Sequence, residues 1–210
     1  ESSDFSKLAP VMVQMKDVSD MILMDTLFSQ DDRIGNIHYK LSWYQMVKDE
    51  KTGQLEIKTK KSEAELAKDK KTWVIPEKEK VYQASGAVLV KEMLLKDNDC
   101  GVNVANRVNM MRKVSALEGI RHISARTYKK FMEFYKVARN PETLAWMKNT
   151  LLFTNADLGL TTPAGGVSFL ANLDKAHSVL LQNCKAGLLK LDLNINEIVP
   201  GAEVKAQVCE

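Results

Sequence analysis

The chain has 210 residues, 45% hydrophobic and 27% charged, ordinary proportions for a globular protein and ample for a core without disulfide or metal staples. No apolar run reaches the length of a bilayer span and no basic-then-apolar leader opens the chain, so neither a transmembrane helix nor a signal peptide is expected. The net charge of +3 is distributed unevenly: Arg107 to Arg139 holds nine basic and two acidic residues, while the remainder holds 21 basic and 25 acidic ones.

Residues 1–10 are polar and without period, and read as an N-terminal arm, with Pro10 in the first turn of the helix that follows. The segment 11–80 reads as a helix, a β-hairpin and a charged linker. Val11, Met15, Val18 and Ile22 recur at helical spacing with Met12, Met21, Met24 and Leu27, which predicts an amphipathic helix to Phe28. Methionine adapts to irregular partners, so Met12, Met15, Met21 and Met24 are candidates for a protein interface as well as for core packing.

The period then changes from helical to two. Ile37, Tyr39, Leu41 and Trp43 alternate with polar or amphipathic residues, and Leu55, Ile57 and Thr59 do the same beyond Asp49-Glu50-Lys51-Thr52-Gly53-Gln54. Two such runs around a glycine-containing turn predict a β-hairpin. Lys48 to Lys80 mixes lysines with acids and reads as a solvated linker, with a short helix at 62–66 and a third strand at 73–75 ended by Pro76.

Residues 81–190 read as a helical core. The first helix carries Val81, Ala84, Val88, Met93 and Leu94, weakened at Ser85-Gly86 and ended near Asp97-Asn98, and the second runs from Val104 to Leu117, stopped by Gly119. Ser124 is placed to cap a third, with Tyr128, Phe131, Met132 and Tyr135 on one face and Lys129, Lys130, Glu133 and Lys136 on the other. Asn140-Pro141-Glu142 is a start signal for a fourth: cap, proline at the first position, acid in the first turn. After a loop over Leu158–Ser168, a last helix carries Leu170, Leu173, Leu180 and Cys184. Residues 191–210 read as an irregular tail with a turn at Pro200-Gly201. The fold expectation is therefore α+β, mainly α: five or six helices in one globular domain, with a hairpin near the N-terminus.

Chemistry is sparse. His38, His122 and His177 form no HExxH pattern and pair with no cysteine at zinc spacing, so neither a metal nor another cofactor is expected. His177 falls between Leu173 and Leu181 and reads as a packed residue. His122, beside Arg121, reads as held neutral by its basic neighbours or as an anion ligand. Cys100, Cys184 and Cys209 are widely spaced and give no disulfide framework; free thiols are the expectation, with Cys184 in the core. Gly165-Gly166 precedes a helix but lacks the Lys-Ser/Thr of a phosphate loop, and is read as a turn. The acid pairs Asp31-Asp32, Asp97 with Asp99 and Glu77 with Glu79 lie in polar connectors and read as solvated.

What remains is the basic segment. The chain uses 24 lysines and 6 arginines, yet five of the arginines fall between Arg107 and Arg139. The guanidinium fork matches phosphate or carboxylate bidentately. Arg107, Arg112, Lys113, Arg121, Arg126, Lys129 and Lys130 are thus candidate ligands of an anion or a nucleic acid. Phe131-Met132-Glu133-Phe134-Tyr135 followed by Arg139-Asn140-Pro141 is similar to a segment of flexuous plant-virus coat proteins, which implies RNA coating and assembly; the rest of the chain does not follow that pattern. The functional expectation is a non-catalytic assembly subunit that binds other proteins or itself, with its basic segment toward an anionic partner. A coat-like or nucleocapsid-like RNA- or DNA-binding protein is the alternative, and an enzyme with an unrecognised site is third. The start at Glu1 rather than Met permits a processed mature chain, and no localisation follows from the sequence.

Overall fold

A computed structural model describes residues 2–28, 37–68, 72–95, 115–150, 169–202 and 206–209. The architecture is α+β and mainly helical, as expected, with a small sheet whose hairpin lies near the N-terminus. The chain divides into two compact units, each built from stretches distant in sequence. The first comprises Glu1–Asp17, Ile37–Leu94 and Leu193–Ala206; the second comprises Val18–Asn36, Leu95–Asp192 and Gln207–Glu210.

Helix α1 runs Ser2–Phe28, so the segment read as an arm is already helical. Phe5, Ala9 and Val13, spaced by four, are buried on one side of it, a pattern thinned by the intervening polar residues. Pro10 therefore sits inside the helix rather than in its first turn, where its missing N–H removes one backbone bond.

In the first unit, β1 (Ile37–Lys48) and β2 (Leu55–Lys61) pair antiparallel with Tyr44 opposite Thr59 and Met46 opposite Ile57. The turn is set by Asp49, whose carboxylate accepts from Thr52 N–H at 2.7 Å, and by Gly53 at φ 70. Its side chains face both ways into packing. Tyr44, with Met46 and Ile57 beside it, meets Phe5, Ala9 and Val13, together with Val90, Ile195 and Ile198. On the other face Trp43 lies near Tyr82, with ring centres 6.1 Å apart.

Two expectations for this region are corrected. Residues 62–66 hold no helix: β3 (Glu65–Leu66) pairs antiparallel with β4 (Trp73–Val74) as a separate ribbon. Beyond a 3-10 turn at Glu77–Glu79, α2 covers only Lys80–Ala84, and Val88–Leu95 is β5, which adds to the sheet in the order β2-β1-β5. Gly86 at φ 79 stops the helix; its N–H donates to Gln83 O and that of Ala87 to Tyr82 O, a paired C-terminal cap. Beyond it β-branched Val88 and Val90 suit a pleated strand. The weak point at Ser85-Gly86 is thus the end of the helix rather than an interruption within it.

In the second unit, residues 115–119 are helical and are followed by α3 (Ala125–Ala138), α4 (Pro141–Thr150) and α5 (Phe169–Lys185). Their core joins Leu23 and Leu27 of α1 to Leu117, Ile123, Tyr128, Phe131, Met147, Phe169, Leu173 and Leu180. Phe169 stacks on Phe28 at 5.5 Å and meets the edge of Phe134 at 6.2 Å. Full burial of a side chain such as Leu173 stabilises the fold by roughly 1.5–3 kcal/mol. The amide of buried Asn172 donates to the Leu27 carbonyl at 3.1 Å, one of those left open at the end of α1.

The expectation of free thiols is corrected for two of the three cysteines. Cys184, in the last turn of α5, forms a disulfide with Cys209, with Cα atoms 5.8 Å apart across 25 residues of sequence. Cys184 is also in the core, as its place on the helix suggested. Spacing could not show the bridge, because it depends on the tail returning to α5. Cys100 lies outside the described residues, as do 158–168 with Gly165 and Gly166, and most of the helix expected from Val104.

Candidate functional site

Helix α3 carries four of the basic segment's described cations, Arg126, Lys129, Lys130 and Lys136. Ser124 occupies the N-cap position with extended backbone, φ −65 and ψ 129, but its side chain makes no capping bond. Its carbonyl accepts from Tyr128 N–H at 2.9 Å and opens the helix. At the far end Asn140 N–H donates to Val137 O, and the Asn140 side chain accepts from Glu142 N–H at 2.8 Å. That cap starts α4 with Pro141 at its first position, the signal read in the sequence.

The helix is two-faced. Tyr128, Phe131 and Ala138 are buried, and Met132, Phe134 and Tyr135 pack against the same core. Arg126, Lys129, Lys130, Glu133, Lys136 and Val137 are exposed. At about 3.6 residues per turn these six fall on one continuous stripe. Lys129 and Glu133 approach only to 4.0 Å and are both well exposed, so the single acid offsets the stripe weakly. Arg126, Lys130 and Lys136 have no ion pair with any described residue.

The other candidates separate from this stripe. Arg107, Arg112 and Lys113 lie outside the described residues. Arg121 directs Nη1 to the carbonyls of Glu118 at 2.7 Å and Ile120 at 3.2 Å, so it caps the helical residues 115–119. Arg139 turns the other way and binds Asp174 of α5 at 2.7 Å. Among the methionines, Met15 and Met24 are exposed and Met12 and Met21 half-buried. Met12 and Met15 belong to the first unit, where helical spacing sets them beside exposed Leu8 and Val11, and Met21 and Met24 belong to the second.

The histidines are occupied in different ways. His177 stacks flat on Tyr135, ring centres 3.7 Å apart and planes 9° apart, which fits the packed residue expected. Burial first, and then the charge of Lys136, lower its pKa below the ordinary imidazole value, while Asp174 opposes them. His122 is not left to its basic neighbours: its Nδ1 lies 2.9 and 3.0 Å from the two carboxylate oxygens of Asp192. A bridge between His122 and Lys190, with Ile123 N–H donating to Lys190 O, brings the two chain segments together. His38 is exposed on β1.

Glu79 departs from the reading of solvated acids. It is buried, and its carboxylate accepts from Trp43 Nε1 at 2.7 Å, Ser62 Oγ at 2.5 Å and Glu63 N–H at 2.8 Å. Burial alone would raise its pKa, but the donors, Ser62 foremost, outweigh that and hold it below the usual carboxylate range. The spacing of Trp43, Ser62 and Glu79 carries no local period, so only the folded sheet reveals it. A second carboxylate, Glu92, takes Tyr44 Oη at 3.2 Å and Lys40 Nζ at 2.8 Å; burial and then Glu92 push the Tyr44 hydroxyl far above its ordinary value. Both are structural anchors of the first unit.

Among the described residues no three His, Cys, Asp or Glu side chains gather as a metal site, and no helix is long and apolar enough to cross a membrane. Compared with known proteins, the chain matches no family model, no curated protein and no solved structure.

Proposed function

We propose that this is a non-catalytic interaction or assembly protein whose α3 face binds an anionic partner. The observation that carries the reading is the one-sided exposure of Arg126, Lys129, Lys130 and Lys136 on a helix whose opposite side belongs to the core. A face anchored in this way presents its charges without rearrangement, so little ordering cost opposes binding. Desolvated arginine and lysine contacts to carboxylate or phosphate are charge-assisted and salt-sensitive. Carboxylates of a protein partner are the favoured ligands; a nucleic-acid backbone is the second reading, favoured by the clustering of arginine between Arg107 and Arg139.

The test is binding of the intact chain to labelled polyglutamate and to a labelled single-stranded oligoribonucleotide, alongside an R126A/K129A/K130A variant. Tighter binding of polyglutamate, lost in the variant, supports the favoured reading. Tighter binding of the RNA supports the second. No binding of either at low salt overturns both.

A further inference from the structure

We propose that the Cys184–Cys209 disulfide is a redox-controlled latch that holds the C-terminal segment against α3 and α5. Residues 206–209 have no regular secondary structure, and Val208 among them is 66% exposed. Apart from the disulfide, the segment is held by few polar contacts. Gln207 Nε2 donates to Leu189 O at 2.8 Å, Leu191 N–H donates to Gln207 Oε1 at 3.3 Å, and Tyr128 Oη donates to Cys209 O at 2.9 Å. A strip held by these bonds and by weak contacts from the Gln207 amide to the two sulfurs opens readily once its covalent tie is cut, because each contributes little net stability. Opening frees residues 206–209 and uncovers the core around Tyr128 and Cys184.

The two sulfurs are unequally placed. Cys184 is 3% exposed, whereas Cys209 is only half-buried, so an incoming thiolate meets Cys209 first. The reductant is a dithiol. Its thiolate bonds to Cys209 Sγ, the Cys184–Cys209 bond breaks, and Cys184 leaves with the electron pair and takes up a proton. The second thiol of the reductant then displaces Cys209, which leaves as its thiol, and the dithiol departs as an oxidised disulfide. The Gln207 amide, whose Nε2 lies 3.2 Å from Cys184 Sγ, donates toward the sulfur on which negative charge develops. The tail returns by the reverse exchange.

The experiment treats the intact oxidised chain with dithiothreitol in native buffer and quenches with iodoacetamide. Peptide mapping reads the label, limited digestion with a non-specific endoprotease reads the 206–209 tail, and far-ultraviolet circular dichroism reads the helices. The latch predicts label on Cys184 and Cys209 without denaturant, tail digestion faster by about tenfold or more, and an unchanged helical signal. Label that appears only after denaturation, unchanged digestion, or loss of the helical signal on reduction would each overturn it. Cys209→Ser separates tail release from the reagent: without reductant its tail is digested as fast as that of the reduced chain. A tail as protected as in the oxidised chain overturns the proposal.

Discussion

The indole Nε1 of Trp43 donates to Oε2 of Glu79 at 2.7 Å, joining residues 36 positions apart in sequence. With Ser62 on the same oxygen, this buried carboxylate ties the central strand β1 to the segment that leads into α2. Glu79→Ala leaves the Trp43 and Ser62 donors without their acceptor and is expected to cost about 2–4 kcal/mol, read by urea unfolding. Because the folded-state pKa of Glu79 is lowered, its contribution is present above the ordinary carboxylate pKa and is lost as pH falls through the folded value. The same titration on Glu79→Gln should therefore show a shallower acid decline. Equal declines would remove the carboxylate from the account.

His177 gives a pH dependence in another window. Its folded pKa is lowered, so the unfolded chain takes up the proton first. Stability is full above the ordinary imidazole pKa, falls as pH drops through it, and levels off below the folded value. His177→Phe keeps an aromatic ring against Tyr135 and should flatten the decline between neutral pH and the carboxylate range. A variant with the same slope as the parent would show that another group titrates there.

Asn140 caps α4 through its side chain and is exposed, so Asn140→Ala tests a local bond with little packing change. The expected loss is about 1 kcal/mol, with Asn140→Asp close to neutral. Thermal unfolding of the three proteins decides it.

The His122–Asp192 pair is partly exposed, at 36% and 45% of the side chains. Such pairs stabilise by less than about 1 kcal/mol, and Asp192→Asn should move the urea midpoint only slightly. A larger loss would mean that the pair holds the 121–123 and 190–192 segments together beyond its own charge interaction.

Local chemistry made some of this legible in the sequence. The hairpin was readable because Ile37 to Trp43 and Leu55 to Thr59 alternate around a glycine turn, and the start of α4 because Asn140-Pro141-Glu142 fits only a helix entrance. The two faces of α3 were likewise visible as a 3.6-residue period. What stayed hidden depends on contacts between distant stretches. The burial of Glu79 requires Trp43 and Ser62 to be brought to it, and the disulfide requires the tail to return to α5. Strand β5 was missed because its residues also fit a helical period, and only Gly86 marked the break. In the basic segment, spacing could not foresee that Arg121 would serve a helix end and Arg139 would pair with Asp174.

The central claim is that the α3 stripe is an anion-binding face, and its salt dependence tests that claim most directly. Fluorescence anisotropy would follow labelled polyglutamate and a labelled oligoribonucleotide against rising sodium chloride, with the intact chain and with R126A/K129A/K130A/K136A. These are exposed residues, so each substitution should change stability by no more than about 0.5 kcal/mol. For the oligoribonucleotide, four cations predict a log–log slope of roughly −2 to −3, and the variant should lose most of it. Polyglutamate binding should weaken in the same direction. Binding by the parent that is steep in salt and lost in the variant is the result this account predicts. No binding of either polyanion at low salt, or binding that the four substitutions leave unchanged, would contradict it.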